Sequence, residues 1–170
     1  MPHITKRETL IDTPWVKVLA KTMNTDPHDY IVVQPPDYVS MIVFTQAGDL
    51  ILVEQYRPAV EEVVLEMPAG TIEPNEDPIE CARRELLEET GYRAGEIEVL
   101  GWVYPDVGRL TNRLWGLVIH DAVLDPSYTP EAEITTRLMS VPDFNALVAS
   151  GAFKQALHVA CWGMWLARQR

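Results

Sequence analysis

The chain has 170 residues, 47% of them apolar, enough for one domain with its own core. Fourteen Lys and Arg against 25 Asp and Glu leave a formal charge of −11, which argues against nucleic-acid binding through a basic surface. Cys81 and Cys161 have no CxxC spacing, no charged-then-apolar leader is seen, and no apolar run reaches about 18 residues; the expectation is a reduced, cytoplasmic protein that does not engage a membrane.

Residues 1–36 read as a small antiparallel β-sheet, with strands around Thr5–Ile11, Trp15–Thr22 and Tyr30–Val33. Val16, Val18 and Ala20 alternate with Lys17, Leu19 and Lys21, and Asn24, Asp26 and Pro27 break the chain after them. So few strands are marginal alone. The segment is therefore expected to pack on the main domain, residues 37–170, on a second copy, or on both. Val39–Thr45 and Leu50–Tyr56 form the strongest strand pair, and Val63–Glu66 leads to Pro68, Ala69 and Gly70. A helix is predicted over Asp77–Thr90, then strands over Ile97–Tyr104, Arg113–Ala122 and Glu133–Val141. Two helices close the chain, from Pro142 to about Ser150 and from Phe153 to Arg168. The last should bury Phe153, Ala156, Leu157, Ala160, Cys161, Met164 and Trp165, with His158 and Gly163 interrupting its apolar character. Mixed strands with three helices predict an α/β fold in which helices cover both faces of a mixed sheet.

The Asp77–Thr90 helix is well punctuated. Asp77 suits the N-cap, Pro78 the first turn, and Gly91 a left-handed C-terminal cap. Glu85, Glu88 and Glu89 stand at i, i+3 and i+4, so their side chains converge. Like charges so placed cost about 0.2–0.5 kcal/mol per pair. A hard divalent cation reverses that sign, because it takes oxygen ligands and bridges carboxylates to phosphates.

The stretch resembles the Nudix box, Gly-x5-Glu-x7-Arg-Glu-aliphatic-x-Glu-Glu-x-Gly-aliphatic. Gly70, Glu76, Arg84, Glu85, Leu86, Glu88, Glu89 and Gly91 match in register, and Tyr92 stands where an aliphatic residue is usual. The resemblance implies an α/β/α sandwich with a mixed sheet, and hydrolysis of a nucleoside diphosphate linked to another group, with Mg²⁺ or alternatively Mn²⁺. It implies metal ligands at Glu85 and Glu89, then Glu88, with the Ala69 carbonyl as a further ligand. Arg84 would orient the carboxylates. Glu76 would support the loop or reach the metal through water, and Gly70 would serve backbone shape. The general base is expected after the box, at Glu131 or Glu133, with Glu133 preferred because it directly precedes a strand.

Glu54, Gln55, Tyr56 and Arg57, followed by Leu65 to Gly70, resemble the branch that cleaves ADP-ribose and nucleoside diphosphate sugars. There the counterpart of Arg57 holds the nucleotide, by pairing with phosphate or stacking on the base. Glu66 would meet a ribose hydroxyl or a metal-bound water, and Trp15 would stack on a base or pack in a core or interface. Arg109 and Arg113 could meet a terminal phosphate or sugar. Hydrolases for ADP-ribose often read Tyr-Pro-Ser-Pro-Gly after the box; here Tyr104, Pro105, Asp106, Val107 and Gly108 lack the second proline. The expectation is an Mg²⁺-dependent pyrophosphatase acting on a small nucleotide sugar, a homodimer paired through the N-terminal strands. The alternatives are a clean-up hydrolase for nucleoside triphosphates or dinucleoside polyphosphates, and a catalytically silent sensor of nucleotide sugars.

Overall fold

The structure is a computed structural model and describes residues 1–169. Strands β1 (Ile4–Asp12), β2 (Lys17–Met23) and β3 (Asp26–Gln34) pair antiparallel in chain order. The second strand does not start at Trp15 as its pattern suggested. Thr13 Oγ1 accepts the N–H groups of Trp15 and Val16 and folds them into a turn, leaving Trp15 80% exposed. The third strand starts earlier than expected and includes Pro27, tolerated because β3 is an edge strand.

The main sheet contains β4 (Tyr38–Thr45), β5 (Leu50–Arg57), β6 (Glu62–Glu66), β7 (Ala69–Thr71), β8 (Tyr92–Arg93), β9 (Glu96–Val103), β10 (Leu114–Leu124) and β11 (Thr135–Met139). Its central order is β11-β5-β4-β10-β8, with β6 on β5, β7 on β4 and β9 on β10. The β4–β10 pair is parallel, with Val39 opposite Trp115, so the sheet is mixed as expected. Helix α1 (Pro78–Thr90) covers one face, packing Cys81, Ala82 and Leu86 on Val39, Met41, Val43, Ile51, Leu117 and Ile119. Helices α2 (Val141–Ser150) and α3 (Ala156–Arg168) cover the other, where Phe144, Phe153 and Trp162 meet Ile42, Phe44, Leu50, Leu52 and Val118. Each such buried side chain contributes about 1.5–3 kcal/mol. His120, in β10, stacks on Phe44 at 5.6 Å and belongs to the sheet.

The last helix differs from its expected form. It begins at Ala156; Phe153 is buried but precedes it, edge-on to Phe144 at 4.8 Å. Its buried residues are His158, Cys161 and Trp162, while Ala156 and Ala160 are exposed. Trp162 turns inward because its ring N–H finds Asn145 Oδ1 at 2.9 Å.

The N-terminal sheet stands largely in solvent, with every residue of β1 after Ile4 exposed. It is tied down by Val33, whose N–H donates to Arg109 O at 2.8 Å and whose carbonyl accepts the Thr111 N–H at 3.2 Å. Asn112 Nδ2 donates to Pro36 O at 3.0 Å, and the Tyr30 hydroxyl donates to Gly108 O. Among the described residues, no helix is long and apolar enough to cross a membrane.

Candidate active site

The segment from Glu66 to Gly70 is the floor of the site. Met41 N–H donates to Pro68 O at 2.9 Å, and Ser40 lies opposite Ala69. Ala69 therefore occupies a ladder position whose own N–H and C=O point away from β4. Its N–H meets Glu89 Oε2 at 3.1 Å, and its carbonyl opens on that same side.

Asp77 caps α1 by accepting the Ile79 N–H at 2.8 Å, and Gly91 closes the helix in the left-handed region at φ 76°. The helix thus has fixed ends, and its acidic face is carried against the floor. Gly70 is required by this approach and not by backbone shape, since its φ is not positive. A Cβ there would stand 1.8 Å from Glu85 Cδ, so Glu85 lies across the glycine.

Arg84 braces the acidic face. Its Nε and Nη2 take the two oxygens of Glu76 at 2.9 Å each, and its Nη1 reaches Glu85 Oε1 at 2.8 Å and Glu88 Oε2 at 3.1 Å. Glu76 also accepts the Glu73 N–H at 2.8 Å and is held down to about 2, chiefly by Arg84. Glu76 is therefore placed as loop support. Glu89 behaves oppositely. It is 6% exposed, and burial, with Glu85 and Glu131 adding negative charge, pushes its carboxyl up to about 8. Burial also raises Glu85.

Among the described residues, no three His, Cys, Asp or Glu side chains stand close enough together to hold a metal ion as they lie. Arg84 engages one oxygen of Glu85 and one of Glu88, and Ala69 N–H engages one of Glu89. The donor set nevertheless fits a hard cation: Glu85, Glu88, Glu89 and the Ala69 carbonyl offer only oxygen. Positive charge is short at the Glu85–Glu89 corner: Arg84 is shared among Glu76, Glu85 and Glu88, and burial still raises both Glu85 and Glu89.

Glu66, at the end of β6, is 1% exposed. Arg57 Nε lies 3.1 Å from both of its oxygens, Arg57 Nη2 lies 2.5 Å from Oε2, and Gln55 Nε2 lies 3.3 Å from Oε2. Gln155 Nε2 approaches Oε1 at 3.5 Å. Glu66 thus serves as the anchor of Arg57, leaving little of its carboxylate for a ribose hydroxyl or a metal-bound water. Arg57 remains 42% exposed at its side chain and lines a cleft of about 320 Å³ with Ala59, Val60, Val64, Lys154 and Gln155.

The two base candidates separate. Glu131 donates its N–H to Glu88 O at 3.0 Å, tying its loop to the end of α1, and its charge acts on Glu89. Both side chains are exposed, and among the described residues neither has a hydrogen-bond partner. The backbone tie connects Glu131 to the acidic helix, and no such tie is seen for Glu133 among the described residues. Trp15, Arg109 and Arg113 are not gathered at the carboxylates by any contact seen here. Arg109 lies over the Tyr30 ring at 5.7 Å. Arg113 pairs with Asp37 at 2.8 Å, with Trp102 and Trp115 at 5.5 and 5.6 Å.

His158, which in the sequence only interrupts an apolar helix, meets the floor of the site. It is 3% exposed, and its Nδ1 accepts the Met67 N–H at 3.0 Å, which requires the tautomer protonated at Nε2. Burial lowers its pKa to about 4, so the ring is neutral at pH 7. A histidine among Leu157, Val159 and Cys161 signals burial only when Trp162 is placed on the same face.

The NUDIX domain family matches residues 34–156. The "Methanol dehydrogenase activator" of Bacillus methanolicus is 44% identical over 69 residues, 41% of this chain and 37% of that protein. The "ADP-ribose pyrophosphatase" of Bacillus subtilis (strain 168) is 38% identical over 77 residues, 45% of this chain and 42% of that protein. The chain thus spans less than half the length of these curated relatives. A solved structure described as "Crystal structure of ADP compounds hydrolase" superposes with a TM-score of 0.80 at 21% identity, over 99% of this chain and 92% of that one. That likeness establishes the α/β fold, N-terminal sheet included.

Proposed function

The chain belongs to the NUDIX domain family, and on that premise we propose that it hydrolyses the pyrophosphate bond of ADP-ribose or a related nucleoside diphosphate sugar. The products are a nucleoside monophosphate and a sugar phosphate. The observation that carries this reading is the corner where Glu85 crosses Gly70 and Glu89 bonds to Ala69 N–H, beside an arginine anchored on a buried carboxylate. Members of this family generally use divalent cations; Mg²⁺ is the ion proposed here, with Mn²⁺ as its substitute. Glu85, Glu89 and the Ala69 carbonyl would hold it, with Glu88 beside them. When bound, the cation supplies positive charge against the pyrophosphate oxygens.

The rest is done by the chain. Arg84 keeps Glu85 and Glu88 aligned from one guanidinium. Arg57, fixed by Glu66, presents its free edge to a phosphate or a base. Glu131 takes the proton of the attacking water as that oxygen bonds to phosphorus and the bridging P–O bond breaks. Residues 1–36 would pair two copies and line the site, a reading supported by the exposed Leu10, Ile11, Trp15, Tyr30 and Ile31. The two unpaired, buried thiols, Cys81 and Cys161, support a reducing, cytoplasmic setting.

The test is a panel of ADP-ribose, ADP-glucose, GDP-mannose and UDP-glucose with Mg²⁺, scored by release of nucleoside monophosphate. Release from at least one sugar nucleotide is expected. Free pyrophosphate from nucleoside triphosphates alone would favour the clean-up hydrolase, and tight binding without turnover would favour the sensor.

A further inference from the structure

Gln155, the N-cap of α3, and His158, in its first turn, both end on the floor of the site. Gln155 reaches Glu66 Oε1 at 3.5 Å, and His158 Nδ1 accepts the N–H of the next residue, Met67, at 3.0 Å. The floor is otherwise held from the sheet and from α1: Pro68 O by Met41 N–H at 2.9 Å, Ala69 N–H by Glu89 at 3.1 Å. The Met67 N–H, the Pro68 carbonyl and the Ala69 N–H thus each have a holder, supplied by α3, β4 and α1 in turn. Pro68 has no N–H and a fixed φ, so rotation at Met67 is passed directly to Ala69. The ring is buried and neutral, and it is wedged near Phe153, whose centroid lies 6.4 Å away. It has few ways to follow the floor if the floor moves.

We propose that His158 is a positioning residue for the Ala69 carbonyl: through Met67 N–H it fixes the direction in which that carbonyl faces the Glu85–Glu89 corner. This rests on the reading that the corner holds a divalent cation. Outer partners of metal ligands typically set affinity by a factor of about 10–100. The larger effect is expected on the metal, because Arg57 is anchored by the Glu66 carboxylate, which Gln55 also holds, and not by His158.

The experiment measures Mn²⁺ binding to the metal-free full chain by electron paramagnetic resonance, together with kcat and KM for ADP-ribose at saturating metal. His158→Asn places an amide oxygen near the Nδ1 position and retains an acceptor for Met67 N–H; His158→Leu fills similar space without one. The expected result is about ten-fold weaker Mn²⁺ binding in His158→Leu, recovered in His158→Asn, with KM changed less than about two-fold. If His158→Leu fails to fold, as judged by near-ultraviolet circular dichroism, His158→Gln replaces it. The longer side chain carries its oxygen past the Met67 N–H, and the same weakening relative to His158→Asn is expected. Equal Mn²⁺ affinity in the folded variants and the parent would overturn the proposal while leaving the metal site intact. Absence of Mn²⁺ binding in the parent would overturn the functional reading itself.

Discussion

Two helices close on the floor of the site from opposite faces of the sheet, and they do so by different chemistry. Helix α1 brings charge: Glu85 and Glu89 are raised by burial, and Arg84 spans Glu76, Glu85 and Glu88. Helix α3 brings neutral groups, His158 and Gln155, each satisfied by the floor. The difference separates function from stability. Charges held together against their repulsion are poised for a ligand and add little to the fold, whereas neutral partners of buried polar groups belong to the fold and act on the site only through it.

The sharpest way to break this contrast is at Gly70. Gly70→Ala pushes a methyl group into Glu85 at a position where the backbone itself is unstrained. Turnover should fall about 100-fold, with the thermal midpoint shifted by less than a few degrees, as read by activity and calorimetry on one preparation.

The α3 side should instead show itself in acid. The folded pKa of His158, about 4, is depressed below its ordinary 6.5, so its contribution is present above pH 6.5 and is lost as the pH falls toward 4. That loss is on the order of 3 kcal/mol. His158→Asn removes this titration, and urea unfolding at pH 7 and pH 4.5 should show a smaller acid loss for the variant than for the parent.

Arg57→Ala joins the two behaviours. It strips the main partner from the buried Glu66 carboxylate, which should cost about 2 kcal/mol in denaturant unfolding, and it should raise KM as well. Arg57→Lys restores a charge without the fork and should recover more stability than activity. The smallest effect is expected at Trp15. Its 80% exposure means that Trp15→Ala changes stability by less than about 0.5 kcal/mol, while a rise in KM for ADP-ribose would mark it as part of the substrate's surroundings.

The α1 side was legible because its information is local. Asp77, Pro78 and Gly91 bound the helix, and the spacing of Glu85, Glu88 and Glu89 dictates one face. The order of the layers followed from strand periodicity and helix stripes in the same way. What escaped depends on partners far along the chain. His158 meets Met67 across 91 positions, and Arg113 meets Asp37 across 76. No periodicity encodes such a meeting, and counting apolar residues on α3 made His158 look like an interruption. The role of Gly70 was hidden for a related reason, since only the path of the Glu85 side chain shows that contact and not conformation excludes a Cβ.

The role proposed for the Glu85–Glu89 corner is to hold a divalent cation against a pyrophosphate. Its most direct test is ³¹P nuclear magnetic resonance of ADP-ribose incubated with Mg²⁺ and either the parent chain or Glu89→Gln. The parent should give two phosphomonoester signals, from the nucleoside monophosphate and the sugar phosphate. Glu89→Gln, folded and at least as stable as the metal-free parent at pH 8, should leave the diphosphate signal unchanged over the same period. Undiminished cleavage by Glu89→Gln would contradict the account.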